Sequence, residues 1–350
     1  MIERRSRLLR ILTLVISAIG VALIVFALRP AGRDASMRER DIQAELKTAP
    51  IVLAFMGEKL ERGLSAVLGE LGGNVNVVSP HWVRFNADGT FVTKHGSMVF
   101  IAAAHEAHMQ VWPLVSYAGP YGSSAGCPAV LCESSVRDRF VEELAQWATI
   151  LNVEGLVLDV ENVSANAKND LVRLTEQLTA AMHQQQRQLW AAVFPQADFS
   201  PTLSGFHDVT ALGGIADGII LMTYDQHSPY TGPGPIAAYD WVECNVADIV
   251  RRVPPHRVVL GLAGYGYRWT KQGDRWRTSV VTTHNMEQQA MPTQQASDTV
   301  QVWWESTENA VGKISLVQQY RLRGVAVWRH GLAHPNLWPA LRQALAPDAR

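Results

Sequence analysis

Short apolar runs recur along the chain from about residue 50 onward, and stretches with helical periodicity separate most of them. The runs are rich in Val, Ile and Leu, which is typical of parallel strands that are covered on both faces. Eight such runs occur, at residues 51–56, 74–79, 111–116, 155–161, 189–194, 218–224, 258–263 and 324–328. Each is therefore predicted to be a strand.

The intervening segments predict helices at residues 137–151, 169–187 and 312–320, the first with Phe140 and Leu144 on one face. Eight strands that alternate with helices over this length indicate an α/β fold of the TIM (β/α)8 type. A doubly wound open sheet is the alternative. It is less favoured because no Gly-rich dinucleotide fingerprint follows the first strand.

The longest gap between predicted strands, residues 268–305, separates strand seven from strand eight. It is polar and charged, but it contains four tryptophans, at positions 269, 276, 303 and 304. We interpret it as a small insertion. In a barrel of this type the insertion would lie beside the active-site face and could form one wall of a substrate groove.

The N-terminus is predicted to interact with a membrane. Residues 11–28 form an uncharged run of 18 residues, just long enough to span a bilayer as a helix. The expected organisation is a basic cytoplasmic segment at 1–10, an anchor at 11–28, a charged tether at 29–48 and a barrel at 49–345. A cleaved signal peptide is the alternative for 11–28. The barrel would thus be attached to the cytoplasmic membrane and face the periplasm or exterior, or be secreted.

Composition narrows the classes of ligand. The chain has 350 residues, is 47% hydrophobic and carries a formal net charge of −1, so it lacks the electrostatic footprint of a nucleic-acid-binding protein. No grouping of Cys and His has convincing zinc spacing, and no cofactor is expected. Cys127 and Cys132 are candidates for a small disulfide loop outside the cytoplasm, and the remaining Cys244 is expected to be buried.

Candidate chemistry lies at the end of the fourth predicted strand. Asp159 and Glu161 are two residues apart in an otherwise apolar run, so both side chains point to the same face. An unpaired buried carboxylate costs several kcal/mol or shifts its pKa. The pair is therefore predicted to act in acid–base catalysis; the alternative is solvation at the strand end or a structural ion pair.

Several motifs together resemble glycoside hydrolase family 18, in particular a bacterial branch that includes spore-cortex peptidoglycan N-acetylglucosaminidases. The resemblance covers about residues 49 to 340. The motifs are Glu154-Gly-Leu-Val-Leu-Asp-Val-Glu161, Leu221-Met-Thr-Tyr-Asp225, Leu260-Gly-Leu-Ala-Gly-Tyr-Gly266 and the late Trp328, in this order along the chain.

The resemblance implies a role for each matching residue. Glu161 would be the general acid and base, and Asp159 would orient the substrate's 2-acetamido group, whose oxygen attacks the anomeric carbon in place of a protein nucleophile. Tyr224 would hold the acetamide oxygen, Asp225 would contact the sugar, and Trp328 would form an aromatic floor under it. Such a mechanism retains the anomeric configuration.

The chain departs from the family's fullest motif in two places. Glu154 stands where the family begins with aspartate, and Val157 stands where chitinases have a middle aspartate. The second change removes a carboxylate that shares a proton with its neighbour, so we expect an altered pH dependence rather than inactivity.

The leading hypothesis is a glycosidase that cleaves a β-linked polysaccharide containing N-acetylglucosamine, either peptidoglycan or an acetylated exopolysaccharide. The alternative is a catalytically silent barrel that binds such glycans in a cell-envelope or polysaccharide export assembly. Both Asp159 and Glu161 are present, which favours the enzyme, because a binding module does not need the acid.

Overall fold

The structure is a computed structural model, and it describes residues 49–60, 62–119 and 126–346. The predicted segments 1–10, 11–28 and 29–48 lie outside the described residues, so the membrane anchor stays a prediction. Among the helices that the structure describes, none is both long and apolar enough to cross a membrane.

The described residues contain fifteen strands, most of which are short. They are β1 (Ile51–Met56), β2 (Val77–Pro80), β3 (Val83–Phe85), β4 (Phe91–Lys94), β5 (Gln110–Val111), β6 (Leu114–Ala118), β7 (Gly155–Glu161), β8 (Gln188–Val193), β9 (Gly218–Leu221), β10 (Val258–Ala263), β11 (Tyr265–Gln272), β12 (Arg275–Thr282), β13 (Gln294–Ala296), β14 (Val300–Trp304) and β15 (Gly324–Trp328).

Twelve α-helices lie between and after these strands in the described part of the chain. They are α1 (Leu64–Leu71), α2 (Met98–Glu106), α3 (Ala129–Cys132), α4 (Ser134–Leu151), α5 (Lys168–His183), α6 (Pro201–Ser204), α7 (Val209–Ile215), α8 (Tyr239–Ile249), α9 (Thr283–Gln288), α10 (Thr307–Gly312), α11 (Ile314–Tyr320) and α12 (Leu337–Leu345).

The parallel strands close into an eight-stranded barrel, which confirms the predicted TIM-type fold. β1 pairs with β15 on one side and with β2 on the other, and the series β6, β7, β8, β9, β10, β15 is continuous. The second and third barrel strands are each in two pieces: β2 pairs with β5, and β3 pairs with β6. The ring is thus complete, and a short hairpin from β3 to β4 extends its rim.

Three predicted elements differ from the structure for local reasons. The third barrel strand breaks between β5 and β6 at Pro113, which has no N–H to donate to a ladder. The sixth strand ends at Leu221 rather than at Tyr224, because the Thr223 and Tyr224 N–H groups turn back to bond carbonyls two residues earlier. The helix predicted at 312–320 is divided between α10 and α11.

The barrel has two apolar layers. Side chains that point outward, such as Leu156, Leu158 and Val160 of β7, pack against the surrounding helices in the main hydrophobic core. The alternate residues point into the barrel, where Val157 pairs with Leu114 and Trp190 of the neighbouring strands. Asp159 and Glu161 follow on this inward face, each one layer closer to the barrel mouth.

The predicted insertion between strands seven and eight is a four-stranded antiparallel sheet in the order β12, β11, β14, β13. It spans 265–304, so it begins three residues before the predicted boundary of 268. Trp269 is fully buried in its own apolar cluster with Tyr265 and Tyr267. Ile236 and Ala263, which precede the insertion, belong to the same cluster, so Trp269 helps to pack the insertion against the barrel.

Candidate active site

Asp159 and Glu161 lie at the carboxyl end of β7, where the barrel opens. Asp159 is 9% exposed, and among the described residues its Oδ1 atom has no hydrogen-bond partner. A buried, unpaired carboxylate oxygen costs free energy, and such a cost is typical of a functional site. The sequence-based placement of both acids on one inward face agrees with this geometry.

Burial strongly affects the protonation of both acids. It raises the pKa of Glu161 from 4.5 to about 7, and the negative charge of Asp225 adds to the rise. Burial, followed by the charge of Glu161, raises the pKa of Asp159 well above its ordinary range. A carboxyl group with a pKa near 7 is suited to donate a proton at neutral pH and to accept one later.

Tyr224 and Asp225 lie in the loop after β9 and line the same cavity as Glu161. Burial raises the pKa of Tyr224, and the charges of Asp159, Glu161 and Asp225 raise it further. A Cβ added at Gly261 in β10 would lie 2.5 Å from the Leu221 carbonyl oxygen and 3.2 Å from the Tyr224 ring. Glycine at this position thus lets both the β9 backbone and the Tyr224 ring lie close to β10.

Asp225 is held by two residues that sequence reasoning missed. Its Oδ1 atom accepts hydrogen bonds from the hydroxyl groups of Tyr265 at 2.6 Å and Tyr267 at 3.0 Å. Its backbone has φ of +58°, a left-handed conformation that is uncommon outside glycine and often occurs at functional sites. Burial raises the pKa of Asp225, and the two tyrosine hydrogen bonds oppose that rise.

The two tyrosines that hold Asp225 belong to the first strand of the insertion. Tyr265 and Tyr267 are two residues apart on β11, so both point to one face, toward the site. The sequence does contain this alternation at the start of the insertion. It does not reveal that the two hydroxyl groups converge on a carboxylate forty residues earlier.

A cavity of about 740 Å³ opens beside these groups. Glu161, Tyr224 and Asp225 line it, whereas Asp159 lies one layer deeper in the barrel. Its walls come from the loops after β8 and β9 and from the insertion, and include Phe194, Asp198, Phe199, Tyr230, Tyr267 and Val280. Its volume and mixed polar and apolar lining are suitable for a ligand of a few sugar rings.

Trp328 ends β15 at the barrel mouth, as predicted, but it is not part of this cavity lining. Its ring is half-buried, with its centroid 5.3 Å from that of Phe55. It also packs against the aromatic cluster that contains Tyr265. The structure therefore brings Glu161, Tyr224 and Asp225 into one cavity and places Trp328 on its flank.

None of the three cysteines is among the described residues that line the cavity. Cys127 and Cys132 form a disulfide whose Cα atoms are 6.0 Å apart. With Asp170 they make the one grouping of potential metal ligands found among the described residues, but sulfur atoms in a disulfide are not thiolate ligands. The expectation that Cys244 is buried is wrong. It is exposed because α8 turns Trp241 and Asn245, rather than Cys244, toward the core.

Comparison with known proteins agrees with the site. The sequence model described as Glycosyl hydrolases family 18 matches residues 50–332. The chain belongs to this family. The prediction of a glycosidase is thereby confirmed at the level of the family, while the individual roles of Asp159, Glu161, Tyr224, Asp225 and Trp328 stay predictions.

Curated relatives of this family 18 chain are distant. The chain is 23% identical over 236 residues to an uncharacterized glycosylase, YvbX, of Bacillus subtilis, which covers 61% of this chain and 68% of that protein. It is 22% identical over 233 residues to the cortical fragment-lytic enzyme of B. subtilis, which covers 60% of this chain and 54% of that protein. The match thus spans only about half of that enzyme.

Solved structures support the same fold. A chitinase from Chromobacterium violaceum superposes with a TM-score of 0.73 at 25% identity, covering 85% of this chain and all of that one. The spore cortex-lytic enzyme SleL of Bacillus cereus gives a TM-score of 0.71 at 18% identity, covering 85% of this chain and 75% of that one. At 18% identity, the similarity to SleL concerns the fold alone.

The raised pKa of Glu161 predicts a pH dependence for the glycosidase. If Glu161 must be protonated to act, kcat/KM should fall as pH rises above about 7 and approach a tenfold loss per pH unit. Because the charge of Asp225 raises this pKa, Asp225→Asn should move the alkaline limb to lower pH. A pH profile of both proteins on one soluble oligosaccharide measures this. An unmoved limb in the variant would contradict it.

Proposed function

We propose that the protein hydrolyses a β-linked polymer of N-acetylglucosamine by a retaining mechanism in which the substrate's acetamido group is the nucleophile. The observation that supports this best is that Glu161, Tyr224 and Asp225 line one cavity, with Asp159 one layer deeper on the same inward face of β7. Substrate-assisted hydrolysis needs an acid, a group that orients the acetamide and a hydroxyl that holds its oxygen.

The proposed reaction has two steps. Glu161 donates its proton to the glycosidic oxygen as that bond breaks, while the acetamide oxygen attacks the anomeric carbon and closes an oxazolinium ring. Asp159 faces the acetamide nitrogen and stabilises its positive charge, and Tyr224 donates a hydrogen bond to the acetamide oxygen. Glu161 then removes a proton from water, which opens the ring at the anomeric carbon and restores the acetamide. Two inversions give net retention.

The charges of the cavity bear on the choice of polymer. Its charged lining residues are Glu161, Asp198 and Asp225, and no basic side chain lines the part of the cavity that the structure describes. A carboxylate from the muramic acid or peptide of peptidoglycan would therefore find no cation there. We infer that an uncharged stretch of N-acetylglucosamine fits the cavity better than a peptide-bearing glycan.

The relatives differ in what they act on. The Chromobacterium violaceum protein is a chitinase and the Bacillus subtilis protein is a cortical fragment-lytic enzyme, so peptidoglycan and an acetylated exopolysaccharide both stay open as substrates of this chain. Attachment to the cytoplasmic membrane through 11–28, with the barrel outside, is likewise a proposal. The uncharged run of 18 residues supports the attachment.

A comparison of polymers tests the proposed substrate class. Full-length protein is incubated with neutral N-acetylglucosamine oligosaccharides and with purified peptidoglycan, and released fragments are measured by mass spectrometry. We expect Glu161-dependent fragments from both or from the neutral polymer alone, with at least about tenfold faster release from the neutral one. Asp198→Asn should reduce that difference. Faster release from peptidoglycan would contradict the inference drawn from the cavity charges.

A further inference from the structure

The strand that bears the catalytic acids separates from its neighbour at the barrel mouth. β7 and β8 pair in register from Gly155 with Gln188 up to Asp159 with Ala192. At the start of this ladder the Gln188 N–H donates to the Glu154 carbonyl at 3.0 Å. In a parallel ladder such bonds recur every two residues along both strands. The next bond after the paired region would therefore join the Phe194 N–H to the Val160 carbonyl.

An imidazole occupies the place of that bond. The Phe194 N–H donates instead to Nδ1 of His207 at 3.1 Å. Val160 lines the same small pocket as His207. The imidazole is thus placed to bridge the two backbone groups that the ladder would have joined.

His207 is built into this position. It lies between α6 and α7, is 3% exposed, and its ring centroid is 4.1 Å from that of Phe206 and 5.6 Å from that of Phe194. The pocket around it is formed by residues of β7, β8, α5 and α7 that are apolar, such as Leu158 and Leu212, except for Thr175. The surrounding core therefore leaves the ring little freedom to move.

The bridge requires one protonation state. Because Nδ1 accepts the Phe194 N–H, the ring proton in this bridge must be on Nε2, from where it would be donated to the Val160 carbonyl. Burial lowers the pKa of His207 to about 3, so the ring stays neutral over the range in which the enzyme would work. The imidazole is thus a fixed acceptor and donor rather than a proton carrier.

The two bridged groups are placed next to functional residues. Val160 lies between Asp159 and Glu161, and Phe194 lines the cavity. We propose that His207 is a positioning residue that holds β7 and β8 apart at the barrel mouth and so sets the distance from Glu161 to the cavity wall. As far as it concerns turnover, this rests on the proposed function.

Two substitutions separate this role from packing. His207→Leu keeps a similar volume but removes both hydrogen bonds, so the strands should close toward the direct bond from Phe194 to Val160. His207→Gln offers an oxygen acceptor and an N–H donor about as far apart as the two ring nitrogens. We expect kcat of the Leu variant to fall by about 10- to 100-fold, since misplacement of about 1 Å can cost 100-fold. The Gln variant should recover at least a third of wild-type kcat.

Leu212→Ala is the matched control, because it disturbs the same pocket without touching either backbone group. It should lower Tm but leave kcat within about twofold of wild type. For all full-length variants, kcat, KM and the position of the alkaline pH limb are measured on a neutral oligosaccharide. The Leu variant should shift that limb, because the surroundings of Glu161 change, and Leu212→Ala should not.

A readout that does not depend on turnover separates this inference from the proposed function. In wild-type protein labelled with ¹⁵N-histidine, the signal of His207 should be that of a neutral ring protonated at Nε2 and should not titrate between pH 5 and 9. A protonated or Nδ1-protonated ring would overturn the bridge even if the enzyme is active. A neutral bridge with unchanged kcat and pH limb in His207→Leu would overturn the positioning role. If the wild type does not hydrolyse the glycan, the proposed function fails, and oligosaccharide affinity replaces kcat in the comparison.

Discussion

Replacing Glu161 with glutamine should lower kcat by at least about 1,000-fold and leave the affinity for an oligosaccharide within a few-fold of wild type. Glutamine has the shape of glutamate but cannot donate the proton in the first step or remove one from water in the second. A positioned acid–base group typically contributes 100- to 10,000-fold. Turnover is measured by release of reducing sugar, and binding by calorimetry with the same oligosaccharide.

The same substitution should change stability in a pH-dependent way. Glu161 in the folded chain keeps its proton up to about pH 7, whereas the unfolded chain releases it near pH 4.5. Between these values the folded state binds more protons, so stability falls as pH rises. The cost reaches about 3 kcal/mol above pH 7. Glu161→Gln should therefore raise Tm at pH 8 but not at pH 4.

Glu154→Gln is a matched control for Glu161→Gln. It makes the same change at the residue just before β7, whereas Glu161 is the last residue of β7. The Glu154 carboxylate is buried. Its Oε2 atom accepts the Val111 N–H at 2.8 Å, and its Oε1 atom lies 2.8 Å from Nε2 of His105. Its loss should lower stability and leave kcat within about fivefold. Equal loss of activity in the two variants would show that Glu161 supports activity by stabilising the fold and not by transferring a proton. Binding without any Glu161-dependent hydrolysis would favour the silent glycan-binding barrel.

Replacing Asp159 with asparagine should have the second-largest effect, a loss of about 100- to 1,000-fold in kcat. Asparagine keeps the size of the side chain but removes the negative charge that stabilises the developing oxazolinium cation. Loss of one preorganised electrostatic contact in a buried site commonly costs this much. The rate is measured on a neutral N-acetylglucosamine oligosaccharide, with Asp198→Asn, an acid on the cavity wall, as the control that should lose less than about tenfold.

The leaving group separates the roles of the two acids. Dinitrophenolate leaves without receiving a proton. A dinitrophenyl glycoside should therefore restore much of the first-step rate in Glu161→Gln. It should not restore the rate in Asp159→Asn, because the acetamide still has to attack. If the activated leaving group rescues both variants equally, or if Asp159→Asn retains more than a tenth of wild-type kcat, the assigned role of Asp159 is wrong.

The barrel could be predicted from the sequence because its strands are buried on both faces. Runs such as 51–56, 155–161 and 258–263 coincide with β1, β7 and β10, since continuous apolar residues and short length identify a parallel strand without knowledge of its neighbours. Strand ends were predicted less well. The break at Pro113 and the early end of β9 depend on hydrogen bonds to other segments.

The candidate site was predictable in part for the same reason. Asp159 and Glu161 stand out because carboxylates are rare in an apolar strand. Tyr265 and Tyr267 do not, because tyrosines at the start of an antiparallel strand are ordinary and their contact with Asp225 spans forty residues. His207 likewise becomes meaningful only once the register of β7 and β8 shows which backbone bond it replaces.

The anomeric configuration of the first product shows whether the substrate's acetamido group acts as the nucleophile. A neutral N-acetylglucosamine oligosaccharide is mixed with full-length protein, and the newly formed reducing end is followed by ¹H NMR before it mutarotates. We expect the β-anomer to appear first and Glu161→Gln to form none at a comparable rate. An α-anomer formed first would show direct attack by water and would contradict catalysis through the acetamido group.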